Sequence, residues 1–461
     1  MANKLTTLDA GFLHAEDADP HTNLGIGGLA ILDGPLPDFE SLTSTLGERI
    51  AACPRFAQRL RRQIFDLRAP EWIDDGNFDL AHHLRRVAVP APGTDDDLFR
   101  LVADVMSWRL DRNRPLWEIW VIEGLSDNRW AMLMKVHPCI ADGVATVHIL
   151  TGLSDNGLVE GTGGNVHQHQ AHGNPAGEPV TRAASGRLDW GGLLRSPVEI
   201  AAGTMAVAGQ ALRGSYEVAA SLLRPVSALV GPTTTRRRYS AARVALGDVR
   251  QICRTFDVSI DDVALAALTE SYRNMLLHRG DQPQPDSLRT LVPERDAALL
   301  PYLPVDEDNP VLRLRKVHAR LAETRTGAAQ RDMGDVVAAA ARMLPFPITS
   351  WASNLLARLP QRSVMALVAN VPGPSQPLQV MGCNVTAVLP IPPIAMQLRT
   401  GAAVLRYGDE LFFGILADFS AGSSADELAR GAQAAVARLL ACSKRRRAAR
   451  DRHGLSLVIS A

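Results

Sequence analysis

Lys135-Val-His-Pro-Cys-Ile-Ala-Asp-Gly-Val144 is the stretch on which the reading of this chain turns. The apolar run before it, Trp130-Ala-Met-Leu-Met134, has the character of a buried strand. The run after it, Val144-Ala-Thr-Val-His-Ile-Leu150, opens a helix. A histidine and an Asp-Gly pair between a buried strand and a helix put polar groups at the end of a rigid element, where a reacting group is held well.

Working outward, the N-terminal side alternates in type. Leu24–Leu32 is a small, apolar run suited to a buried strand, and Phe39–Ile50 has helical spacing. Asp95–Leu110 reads as a helix, with Asp95, Asp96 and Asp97 favouring its N-terminus through the dipole. The second half of Leu110–Gly124 reads as a strand. His82 and His83, with Asp79 one helical turn away, invite a metal reading. Adjacent side chains diverge and no further ligand is near, so a surface or packing role is expected.

Asn156–Gly192 is rich in Gly, His, Gln, Asn and Pro and lacks periodicity, which predicts a crossover linker. His167, His169 and His172 in that tract are read as solvated. Leu193–Val230 reads as amphipathic helix, packing on a second domain or touching acyl chains. A second α/β unit starts at Arg243. It carries a helix capped by Ser259 or Asp261 and running to about Arg279, strands at Leu288–Val292, Val364–Val371, Val385–Leu389, Gly401–Arg406 and Glu410–Asp418, and a final helix over Ser424–Leu440. Met343–Leu359, with Trp351, suits either a lipid-facing helix or core packing. Lys444-Arg-Arg-Arg447 with Arg450 and Arg452 forms a basic tail, either a solvated helix end or a patch for anionic lipid. The expected division is 1–155, a linker at 156–192, and 193–461.

Composition narrows the function. A chain of 461 residues exceeds one ordinary core, which favours two domains. Lys+Arg and Asp+Glu both number 49, so no global field draws the chain to nucleic acid. The five scattered cysteines have no metal-ligand spacing, which points to free thiols in a reducing cytoplasm. No signal core and no membrane-spanning run is evident, although contact with a membrane surface stays open.

Several ordered motifs together resemble the bacterial wax ester synthase/diacylglycerol acyltransferase family over nearly the full length. They are Leu8-Asp-Ala10, Pro54-Arg-Phe56 with Arg59-Leu60, Leu110-Asp111 with Arg114-Pro-Leu-Trp117, His137 with Asp142-Gly143, Asp262-Val263, Asn370-Val-Pro-Gly-Pro374 and Pro393-Ile394. The resemblance implies an α/β fold of two chloramphenicol-acetyltransferase-like subdomains, each a mixed sheet with helices, with a tunnel between them. It implies transfer from long-chain acyl-CoA, as substrate, to diacylglycerol or a fatty alcohol, with neither cofactor nor metal. It further implies substrate-contacting roles for Pro115, Leu116, Trp117, Asn370, Pro372 and Gly373. The implied location is cytoplasmic, peripheral on the inner membrane face or on lipid droplets.

In that family the motif is His-His-x-x-x-Asp-Gly, and its second histidine takes the proton of the attacking alcohol. Here His137 matches the first histidine, Asp142 the structural aspartate and Gly143 the glycine, but the base position is Pro138, which cannot accept a proton. In extended chain His137 would point away from the face served by 138, although proline's fixed φ leaves room for a rebuilt loop that turns His137 inward as a substitute base. Cys139 reads as a buried, unactivated thiol. Thr290–Pro304 is short for the family and reads as a lost strand. The leading expectation is an O-acyltransferase of reduced activity. The alternatives are a degenerate acyl-lipid-binding or droplet-surface protein, or transfer to an amine.

Overall fold

A computed structural model of the chain describes residues 5, 13, 16–17, 21–61, 70–140, 149–155, 234–285, 288–293, 298–299, 302–330, 364–371, 373–374, 377–394, 399–421 and 424–459. Its first half contains β1 (Ile26–Asp33), α1 (Phe39–Ala51), β2 (Gln58–Arg61), β3 (Glu71–Asp74), β4 (Leu84–Ala88), α2 (Asp95–Ser107), β5 (Trp117–Leu125) and β6 (Arg129–Val136). There follow β7 (Arg237–Ala245), α3 (Leu246–Phe256), α4 (Ile260–His278), β8 (Arg289–Pro293), β9 (Ala298–Leu299) and α5 (Pro310–Gln330). The last elements are β10 (Val364–Val371), β11 (Gln379–Val380), β12 (Cys383–Ile391), β13 (Thr400–Tyr407), β14 (Glu410–Asp418) and α6 (Ser424–Ile459). The linker 156–192, the helical tract 193–230, and Trp351 lie outside the described residues.

Two six-stranded mixed sheets organise these elements, in the orders β11-β12-β1-β6-β5-β4 and β7-β14-β13-β10-β8-β9. The α/β expectation is met. In the first sheet only β4 and β5 run parallel, while in the second β10 is parallel to both β13 and β8. β1 is central because every residue but Asp33 is buried, so it needs partners on both edges, and it pairs antiparallel with β6 and β12. The first sheet is therefore completed by a strand from the far end of the chain.

The second sheet is covered on both faces. Along β14, Phe412 and Leu416 join the core of the first sheet, whereas Leu411, Phe413, Ile415 and Ala417 pack with α4 and α6. That two-sided burial is why its sequence is a continuous apolar run. Where β14 meets β12 the backbones nearly touch: a Cβ on Gly414 would lie 1.7 Å from the Pro390 carbonyl oxygen. The Tyr239 hydroxyl donates to the same oxygen at 3.0 Å.

Local chemistry fixes the helices. Thr94 and Asp97 form a capping box at the start of α2, and Ser259 with Asp262 does the same for α4. β7 and α3 were not anticipated as separate elements. Arginines interrupt the apolar alternation of β7, and the buried Arg237 pairs with Asp418 at 3.0 Å and donates to the His21 carbonyl at 2.8 Å. α6 runs on to Ile459, past the expected end at Leu440, because the Lys, Arg and Ala of the basic tail are strong helix formers. Among the described residues no helix is long and apolar enough to cross a membrane.

Candidate active site

β6 delivers the motif histidine. Beyond Val136 the chain stays attached to β5 through the His137 amide, which donates to the Leu116 carbonyl at 3.0 Å. It then turns, and the Ile140 amide donates back to the His137 carbonyl at 2.9 Å. Pro138 is thus the second residue of a four-residue turn, a position whose φ proline satisfies and whose amide is not needed. The His137–Ile140 turn accommodates the proline.

The His137 side chain is 2% exposed and points into the protein, whereas Pro138 is half-buried. The Cys139 amide donates to His137 Nδ1 at 3.2 Å. An amide can only donate, so Nδ1 carries the ring's lone pair and the neutral ring carries its proton on Nε2. Nε2, the protonated nitrogen, is aimed at Glu16 Oε2 at 3.6 Å, so its N–H dipole faces the carboxylate. The one basic nitrogen of His137 is therefore already occupied by the backbone. His137 is thus turned into the protein, with its acceptor nitrogen on the Cys139 amide.

Glu16 anchors this cluster. It is 3% exposed, accepts from the Leu24 amide at 2.7 Å, and receives Arg112 Nη2 on Oε2 at 2.7 Å. Burial alone would raise its carboxyl. His137, the Leu24 amide and Arg112 overcome that and hold it down at about 2. Two residues before His137, Lys135 is fully buried. Its ammonium donates to the carbonyls of Val105, at 2.8 Å, and Trp108, at the C-terminus of α2. Asn23 Nδ2 shares the task, donating to Met106 and Trp108 at 2.9 and 2.7 Å. The negative end of α2 welcomes the cation, but burial still lowers its pKa to about 8.

Pro115, Leu116 and Trp117 are buried. Trp117 Nε1 donates to the Phe56 carbonyl at 2.8 Å, and its ring lies edge-on to Phe56, centroids 5.1 Å apart. This triplet locks the start of β5 beneath the His137 turn. Asn370 pairs in register with Val404 on β13. Gly373 sits so close to the end of β13 that a Cβ would fall 1.4 Å from the Arg406 carbonyl oxygen. Asp142, Gly143 and Pro372 lie outside the described residues. Cys139 is buried. His82 is exposed and faces Asp79 at 3.4 Å, while His83 is buried, so the two rings do diverge. Among the described residues no group of His, Cys, Asp and Glu is arranged to hold a metal.

Comparison with known families settles what this scaffold is. The model of the wax ester synthase/diacylglycerol acyltransferase catalytic domain matches residues 5–264, and that of the family's C-terminal domain matches 296–439. The chain belongs to the wax ester synthase/diacylglycerol acyltransferase family. It is 51% identical over 474 aligned positions to a Mycobacterium tuberculosis H37Rv protein named "Probable diacyglycerol O-acyltransferase tgs1", covering 99% of this chain and 100% of the relative. Among solved structures it is similar to the wax ester synthase/diacylglycerol acyltransferase of Marinobacter aquaeolei VT8, with a TM-score of 0.68 at 23% identity, covering 96% of this chain and 100% of that one. The first condensation domain of the CDA synthetase shares the fold at a TM-score of 0.56 and 13% identity, with 96% of each chain covered.

Within the family frame, sequence reasoning missed Glu16, Arg112 and Lys135. Arg112 stood inside a recognised motif, Leu110–Trp117, but its partner Glu16 lies 96 positions away. No local pattern joins them. Lys135 carried a readable signal, a charge at the end of an otherwise apolar strand buried on both faces.

Proposed function

We propose that this chain is an acyl-CoA-dependent O-acyltransferase of neutral lipid synthesis, accepting diacylglycerol or a fatty alcohol, whose turnover is slow because the proton-accepting position is proline. Family membership and the name of the 51%-identical relative support the reaction class. The observation that carries the slow turnover is the His137–Ile140 turn: residue 138 has no titratable group, and the lone pair of His137 is held by the Cys139 amide. In the reaction the alcohol oxygen bonds to the acyl carbon and the C–S bond breaks. The proton leaves to solvent and finally resides on the CoA thiol. Without a positioned base the rate falls by ~10²–10⁴-fold, and binding and orientation sustain what remains. The alignment spans 474 positions against 461 residues here, so the relative carries residues this chain lacks.

The test is CoA release from purified protein with palmitoyl-CoA and dioleoylglycerol or hexadecanol, with the ester identified by chromatography. Slow, protein-dependent ester formation is expected. Turnover on the order of 1–10³ s⁻¹, typical of competent enzymes, would remove the base-loss reading. A second reading, a lipid-surface protein without turnover, draws on the exposed Lys444, Arg445, Arg446 and Arg447 on α6. Each such residue near an anionic surface contributes about 1 kcal/mol. Sedimentation with phosphatidylglycerol vesicles but not phosphatidylcholine vesicles, together with absent ester formation, would favour it.

A further inference from the structure

His83 is a buried histidine that the acyl-transfer reading leaves unused. It is 3% exposed, and its ring is sandwiched between Phe78 and Trp117, at centroid distances of 5.4 and 4.5 Å. Nδ1 lies 2.8 Å from the Trp117 carbonyl oxygen. A carbonyl can only accept, so Nδ1 carries the proton and Nε2 carries a lone pair. Burial holds the ring's pKa below the usual histidine value, which keeps it neutral. Among the described residues no group bonds Nε2, and His83 lines a cleft of about 480 Å³. His83 thus offers the cleft it lines a neutral ring held in place by the stack.

The walls decide what that acceptor would meet. Asp75, Asp79 and Asp111 contribute carboxylates, and Arg59 and Arg114 contribute guanidinium groups. Arg59 Nε stands 3.6 Å from Asp75 and Arg114 Nε 3.5 Å from Asp111, so each cation is already matched. His82 also lines the cleft and faces Asp79 at 3.4 Å, so the fixed charges there are three carboxylates against two guanidiniums, which disfavours an anion. A divalent ion finds no suitable ligand set among the described residues. What remains is a neutral molecule with several hydroxyls. Each hydroxyl both donates and accepts, as paired Asp and Arg, the asparagines Asn77 and Asn113, and a histidine lone pair require.

We propose that this cleft is a binding site for a neutral polyhydroxylated ligand, with His83 Nε2 accepting a hydrogen bond from one of its hydroxyls. The same chemistry is offered by a free polyol or by the polyol headgroup of a lipid. The lining of the cleft includes none of His137–Ile140, and the proposal stands whether or not the chain transfers acyl groups.

The test is titration of the full chain with glycerol, methyl β-glucoside, octyl β-glucoside below its micelle concentration, and sodium phosphate. It is read by calorimetry and by the two-bond ¹H–¹⁵N correlations of the imidazole. Saturable binding of at least one polyol, with a shift confined to His83 Nε2, is expected. Binding of methyl β-glucoside identifies a free ligand, and binding of octyl β-glucoside alone identifies a headgroup. His83→Phe keeps the ring stack and removes the lone pair. Asp111→Ala with Asn113→Ala alters only exposed positions and serves if His83→Phe does not fold. Each is expected to weaken binding by about tenfold, the loss of one or two hydrogen bonds. No saturable polyol binding, affinity unchanged in the Asp111→Ala/Asn113→Ala protein, or phosphate bound more tightly than any polyol would each overturn the assignment.

Discussion

Replacing Pro138 by histidine restores a titratable side chain at the second position of the His137–Ile140 turn. The structural cost is small. That position accepts most residues, and losing proline there costs about 0.4–1 kcal/mol through the unfolded chain alone. Residue 138 is half-buried, so an imidazole there need not enter the core. The gain is that of a positioned general base, ~10²–10⁴-fold in turnover, or about 2.7–5.5 kcal/mol of barrier at roughly 1.4 kcal/mol per decade. The assay is CoA release with palmitoyl-CoA and dioleoylglycerol for wild type, Pro138→His and His137→Ala. Pro138→His is expected to gain at least a hundredfold, with little change in KM, because the base acts in the transition state. His137→Ala in the wild-type background is expected to lower stability but to leave the residual turnover per folded molecule unchanged. A folded Pro138→His protein with no gain would refute the reasoning and move suspicion to the Thr290–Pro304 segment. Loss of wild-type turnover in His137→Ala would show that His137 is the base after all.

Other expectations follow from the buried charges. Glu16 titrates near 2 when folded against 4.5 when unfolded, so its contribution is complete above about pH 4.5 and is lost as pH falls toward 2. Glu16→Gln should cost roughly 3 kcal/mol at pH 7 and flatten that part of the acid limb in urea titrations. For Lys135 the sign is reversed: the folded amine gives up its proton near 8, below its ordinary 10.5, so the unfolded chain binds more protons between those values and stability rises with pH there. Lys135→Met should abolish that rise and leave the Val105 and Trp108 carbonyls dependent on Asn23 and water, a loss visible in urea titrations at pH 8 and 10. Gly414→Ala should cost roughly 3 kcal/mol, since its Cβ would collide with the Pro390 carbonyl and part β14 from β12. Denaturation midpoints measure each.

The long apolar strands and capped helices were open to sequence reading because burial and capping leave local marks. The run Trp130–Met134 falls inside β6, and Ser259 caps α4 as its spacing promised. Position 138 could be read because a motif fixes its neighbours. β7 hid behind its arginines, of which Arg237 is buried against Asp418, 181 positions away. The insertion of β12 beside β1 is likewise set by packing between distant segments, which no single window contains. The state of His137 was least accessible. Whether its lone pair is free depends on the turn that brings the Cys139 amide onto Nδ1, and on Glu16 arriving from the N-terminal region.

The most direct test of the missing base is the pH dependence of wild-type CoA release between pH 5.5 and 7.5, at saturating palmitoyl-CoA and dioleoylglycerol. With no imidazole taking the proton, log kcat should climb steadily with hydroxide and show no plateau, whereas Pro138→His should introduce one above a midpoint near the ordinary histidine value of about 6.5. A wild-type profile that levels off above a midpoint in that region would mean that a histidine of this chain already serves as the base, and would contradict the account.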